Sequence, residues 1–108
     1  MDAITVDVKL YPTEEAIDRG IALFHVLKNK IRLKILLLLT IRKRTVKELE
    51  NEIAESQSAV SHQLAILKEM KFVCSKKIGR NQLYSIYDKH IESIIDLAIA
   101  HGKENCEK

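Results

Sequence analysis

The chain holds two cysteines, one proline and three glycines in 108 residues, and its apolar runs are short. Each scarcity excludes something. With no Pro/Gly/Ser-rich stretch there is no linker, and a chain of this length builds one modest core, so a single domain is expected. Cys74 and Cys106 stand far apart and form no CxxC or paired-zinc spacing. A disulfide framework and a thiolate metal cage are therefore not indicated, and reduced thiols are the default. No run approaches the roughly eighteen apolar residues of a membrane span, and no basic-then-apolar leader is present, so the expected location is cytoplasmic, with no membrane contact. Neither a cleft-sized chain nor a nucleophile-base constellation is present, and an enzyme is not expected. Internal repeats and low-complexity tracts are also missing.

What the chain does have is charge in blocks. The net charge is only +3, yet Ile31 to Lys47 carries six basic residues and no acid. Glu48, Glu50, Glu52 and Glu55 follow, and Ser56 to Arg80 then carries five basic residues against Glu69 alone. Such segregation concentrates positive potential on some elements, which suits a polyanion better than the net charge implies.

Periodicity supplies the architecture. Thr13 followed by Glu14 and Glu15 reads as an N-cap with first-turn acids, and Ala16, Ile17, Ile21, Phe24 and Leu27 recur at helical spacing, predicting a helix over about 13–28. Ile31 to Leu39 is apolar enough to be the central buried helix, closed by Arg42-Lys-Arg44. Thr45 caps a short third helix ending near Glu55, with Glu48 in the capping-box position. Ser56 caps a fourth, paced by Ala59, Val60, Leu64 and Leu67, and the pair has the make-up of a helix-turn-helix. From Phe72 to Ile78 and from Leu83 to Tyr87 the period changes to that of strands, with Gly79-Arg-Asn81 as the turn. Asp88 starts a last helix with a stripe of Ile91, Ile94, Ile95 and Ala98, which wants a partner surface. The fold class is mainly α with a small β-hairpin: a winged helix-turn-helix of four helices, two strands and a fifth helix, as a homodimer. Residues 1–12 form an arm, 13–104 the DNA-binding and dimerisation domain, and 105–108 a tail.

That last helix carries Asp88-x-His90, then His101-x-x-Glu104. Residues eleven apart on a helix point nearly the same way but stand about 16 Å apart along the axis, so His90 and His101 cannot share an ion within one chain. They can share one across a two-fold axis crossing near Ile95 and Asp96, where an antiparallel copy brings Asp88 and His90 to the other subunit's His101 and Glu104. The plainer alternative makes Asp88 an N-cap, the histidines interfacial or solvated, and Glu104 part of a frayed end.

The run Ser56-Gln-Ser-Ala-Val-Ser-His-Gln-Leu-Ala-Ile-Leu-Lys-Glu-Met70, the wing with Gly79-Arg80 and Tyr84, and the preceding Ile31-Arg-Leu-Lys-Ile-Leu36 resemble the ArsR/SmtB family of metal-responsive winged-helix repressors over roughly residues 20–104. The pattern on the last helix resembles that family's inter-subunit zinc site, with Asp88, His90, His101 and Glu104 all present. The chain departs from the family at Asn29-Lys-Ile-Arg32, where an Asp-Pro-Thr-Arg-like start is common. It also reads Val46-Lys-Glu-Leu-Glu50 where some members carry soft-metal cysteines. Two imidazoles and two carboxylates form a borderline-hard set that zinc accepts, and cobalt(II) also fits, whereas nickel wants more ligands.

For DNA, Gln57, Ser58, Ser61, His62 and Gln63 suit a helix in the major groove, either glutamine being able to read adenine. Lys76, Lys77, Arg80 and Asn81 in the wing suit the flanking backbone or minor groove, with Arg42 to Arg44 as added phosphate contacts. The expected function is a zinc-sensing repressor that binds double-stranded operator DNA as a dimer and is released by metal. The alternative is a repressor of the same fold with no metal input, responding to thiol oxidation at Cys74 or Cys106.

Overall fold

The computed structural model describes residues 10–106 of the chain. Residues 1–9 of the expected arm, residues 107 and 108 of the tail, and the side chain of Cys106 lie outside the described residues. Thr13 opens α1 (Glu14–Leu27) by accepting the Ala16 N–H at 3.1 Å, with two acids in the first turn facing the helix dipole. Asn29 does the same for α2 (Lys30–Ile41), accepting from the Arg32 N–H at 3.0 Å. As expected, α2 is the central helix: Ile35, Leu36 and Leu39 are buried.

Thr45 opens α3 (Val46–Ile53) with both halves of a capping box. Its hydroxyl accepts the Glu48 N–H at 3.2 Å, and the Glu48 carboxylate accepts the Thr45 N–H at 2.9 Å. The helix stops at Ile53 and not near Glu55, because Ala54 turns into the left-handed region at φ 63. Ser56 caps α4 (Gln57–Glu69), which buries Val60, Leu64 and Leu67.

The sheet has one strand more than the sequence pattern suggested. The two-residue β1 (Arg44–Thr45) pairs antiparallel with β3 (Asn81–Ile86), which pairs on its other side with β2 (Val73–Ile78), giving the order β1-β3-β2. Ile78 faces Asn81, so the wing turns on Gly79 and Arg80 alone, and Gly79 takes the positive φ of 61 that a two-residue hairpin requires. Asn81 is thus the first residue of a strand and not the last of a turn. The final helix, α5 (Lys89–Cys106), packs on α2 and β3.

The core joins α2, α3, α4 and the sheet to Val26 of α1 and to Ile91 and Ile95 of α5. The apolar stripes of the two outer helices are only partly covered by their own chain. On α1, Leu23, Val26 and Leu27 pack inward while Ile21 and Phe24 are exposed. On α5, Ile94 is half-buried and Ala98 is exposed, beside an exposed Leu97. These helices are amphipathic as the spacing required, but each buries only one edge of its apolar side against its own chain.

Candidate metal centre and nucleic-acid interface

Asp88 sits in the link between β3 and α5, where extended chain becomes helix. Its Oδ1 accepts the His90 backbone N–H at 2.9 Å and lies 2.8 Å from His90 Nδ1. The N–H of His90 first, and its ring second, hold the Asp88 carboxyl below the usual carboxylate range, against an opposing push from partial burial. With Nδ1 engaged by the carboxylate, the imidazole is oriented and turns its Nε2 edge outward. The His90 side chain is 91% exposed. Both residues line an open cleft of about 760 Å³ whose other walls include Arg19, Leu23, Phe72 and Ile94.

His101 and Glu104 are exposed and one turn apart toward the far end of α5. The helix is continuous from Lys89 to Cys106, so the two pairs are separated along it by the rise of eleven residues, about 16 Å. Among the described residues no group of three or more His, Cys, Asp or Glu side chains comes together. The two histidines and two carboxylates thus stand as two separate pairs on one chain, at opposite ends of α5. His25 is exposed on α1, and Cys74 is half-buried with its Sγ 3.3 Å from the Ser85 hydroxyl.

The second candidate surface is built by α4 and the hairpin. Gln57, Ser58, Ser61 and His62 are exposed on α4, whose first turn holds no acid to offset the positive end of the helix dipole. Gln63 differs: it is half-buried and its Oε1 is enclosed without a hydrogen-bond partner, so Gln57 is the glutamine presented outward. Lys76, Lys77, Arg80 and Asn81 are exposed at the wing. Between the wing tip, α3 and the start of α4 lies a polar hollow of about 380 Å³, lined by Lys47, Glu50, Gln57, Arg80 and Gln82 among others. Lys47 and Gln82 were not singled out by sequence reasoning. The signal available was weak: a lysine two residues after a helix cap, and a polar residue two beyond the wing turn.

One expectation for this surface is corrected. Arg44 was grouped with Arg42 and Lys43 as a phosphate contact, but it is buried, its guanidinium paired with Glu52. The β1–β3 pairing draws it inward. Arg42 and Lys43 are exposed, with Arg42 also 3.4 Å from Glu48.

Residues 29–75 match the family model described as "Bacterial regulatory protein, arsR family". The chain is 34% identical over 94 residues to the transcriptional repressor SmtB of Mycobacterium tuberculosis, a match covering 87% of this chain and 70% of that protein. It is 41% identical over 58 residues to the transcriptional regulator NmtR of the same organism, where the match takes in 54% of this chain and 48% of that protein. Among solved structures, the AntR antimony-specific transcriptional repressor superposes with a TM-score of 0.82 at 26% identity, covering 89% of this chain and 87% of that one.

Proposed function

Because this chain belongs to the ArsR family of bacterial regulatory proteins, with the transcriptional repressor SmtB and the transcriptional regulator NmtR among its relatives, we propose that it represses transcription as a homodimer on operator DNA and releases that DNA when zinc binds across the dimer seam. The observation carrying this reading is the split donor set. Asp88 and His90 lie at one end of α5, His101 and Glu104 toward the other, with Asp88 half-buried and the other three exposed. The apolar residues beside them point to what completes the site. Ile21 and Phe24 on α1 and Leu97 on α5 are 60%, 68% and 72% exposed, on the two helices that bury only one edge. A second copy laid antiparallel along α5 covers such a face and brings each half-set to its complement.

Asp88 and His90 of one subunit, with His101 and Glu104 of the other, would hold the ion, which would cross-link the two α5 helices and so favour one relative arrangement of them. The rest follows from how this chain packs. Each α5 rests on α2 and β3, so turning one α5 against its partner turns the whole DNA-reading body with it. Gln57, Ser58, Ser61 and His62 face bases and phosphates in the major groove, while Lys76, Lys77, Arg80 and Asn81 hold the flanking backbone. An arrangement that spaces the two α4 helices poorly for adjacent half-sites weakens binding by a coupling of about 1–3 kcal/mol, or roughly 5- to 150-fold.

Coupling of this kind is reciprocal: operator DNA must weaken zinc binding by the same factor. Calorimetric zinc titration of the free dimer, and of the dimer on a duplex from upstream of its own coding sequence, reads this directly. Equal zinc affinities in the two titrations reject the proposal. Cobalt(II) titrated in the same way should produce the absorption of a tetrahedral N/O site.

A further inference from the structure

Arg44 carries a full charge at 4% exposure, inside a core that is otherwise apolar among the described residues. A buried guanidinium is tolerated only when its donors are met, and here they are met from several directions. Nε donates to Glu52 Oε1 at 2.5 Å and Nη2 to Glu52 Oε2 at 3.4 Å. Nη1 donates to the carbonyl of Leu38, and at 3.0 Å to that of Arg42. Leu38 lies in the last turn of α2, its carbonyl also accepting the Arg42 N–H at 3.2 Å, and Glu52 lies on α3. The backbone of Arg44 is itself paired with Tyr84 of β3, the inner strand of the wing. One residue therefore joins the end of α2, the first helix of the helix-turn-helix and the root of the wing.

Arg44 is buried while Glu52 stands at the surface, so the pair adds little to stability, but its hydrogen bonds tie three segments to one another. The geometry fixed here is that of α3, with α4 packed on it, relative to the wing. A DNA duplex meets α4 and the wing at once, so freedom between them must be given up on binding and appears as lost affinity. We propose that Arg44 is a positioning residue for DNA binding, clamping the wing to the helix-turn-helix through Glu52 and the end of α2. This rests on the operator-binding reading above. Arg44 touches no nucleotide; it decides whether Lys76, Lys77 and Arg80 reach the backbone while α4 is seated.

The test compares the full-length wild type with Arg44→Leu/Glu52→Leu and with Arg44→Lys. Fluorescence anisotropy is measured on a labelled duplex from upstream of the protein's own coding sequence, across a salt series, with thermal melts and zinc titrations in parallel. The double variant is expected to melt close to wild type and bind zinc equally. It should bind the duplex on the order of 10-fold more weakly, with a salt slope shallower by about one to two as wing contacts are lost. Arg44→Lys keeps the charge but has no fork to span Glu52 and two carbonyls, so it should not restore the slope. Wild-type affinity and slope in either folded variant overturn the proposal. If the wild type itself fails to bind the duplex, the repressor reading falls, and this one with it.

Discussion

The inner and outer halves of this molecule treat their side chains in opposite ways. In α2, α3, α4 and the sheet, polar groups find partners within the chain through the capping box of Thr45 and Glu48, the ion pair of Arg44 and Glu52, and the register of all three strands, with the enclosed Arg32 Nε and Gln63 Oε1 as exceptions. In α1 and α5, large apolar residues and candidate ligands face outward. The difference teaches that a single chain completes the helix-turn-helix and its wing, while α1 and α5 leave apolar surface that the proposed dimer would cover.

Concentration dependence is the sharpest way to break that contrast. Leu97→Glu, which puts a charge where a partner helix is proposed to lie, should raise the dimer dissociation constant on the order of 1,000-fold and remove operator binding, as read by sedimentation and anisotropy. Leu36→Ala in α2 should instead cost about 2–5 kcal/mol in denaturant unfolding at any protein concentration, since Leu36 is fully buried within its own chain. If Leu97→Glu leaves the assembly intact, the outer face is not the seam.

Next in size is the metal response. His101→Ala should weaken zinc binding on the order of 100-fold or more while leaving metal-free DNA affinity unchanged, because the residue stands toward the C-terminal end of α5 and belongs to the proposed metal site, not the proposed DNA contacts. A fall in metal-free DNA affinity would tie the outer helix into DNA reading directly.

The smallest effect belongs to the inner half. The Thr45 N–H, together with Arg42, holds the Glu48 carboxyl below its ordinary value of 4.5. A carboxylate whose folded pKa is depressed contributes stability in full above the unfolded value, and loses it as pH falls through the lower, folded one. The stability gap between wild type and Glu48→Gln should therefore be present at neutral pH and close below about pH 4.5. A gap independent of pH would mean that the box acts through shape alone.

Much of the fold was legible because its signals are local. Thr13, Thr45 and Ser56 cap helices where their spacing to the following residues said they would, and the Ile35 to Leu39 run is the core of α2. The closeness of Asp88 to His90 was legible for the same reason. Features that depend on distant partners were not. The two residues of β1 show no alternation, and they become a strand only because β3 offers a free edge. Arg44 looks like its exposed neighbours until Glu52, eight residues on, is brought beside it. The spacing of Ile21 and Phe24 announced an apolar side but not that their own chain would leave it uncovered, and nothing around Gln63 marked its carbonyl as enclosed.

The separation of Asp88 and His90 from His101 and Glu104 along α5 would have a genetic consequence. If each ion draws one pair from either subunit, a chain lacking His90 and a chain lacking His101 are each unable to hold metal as pure dimers. Mixed together, they complement: both defects fall in one site, and the other is rebuilt from undamaged halves. Each mixed dimer would hold one ion where an intact dimer holds two, and random pairing of co-expressed chains makes about half of the dimers mixed, so about a quarter of the metal capacity would return, an outcome that ligands confined to one chain could never produce.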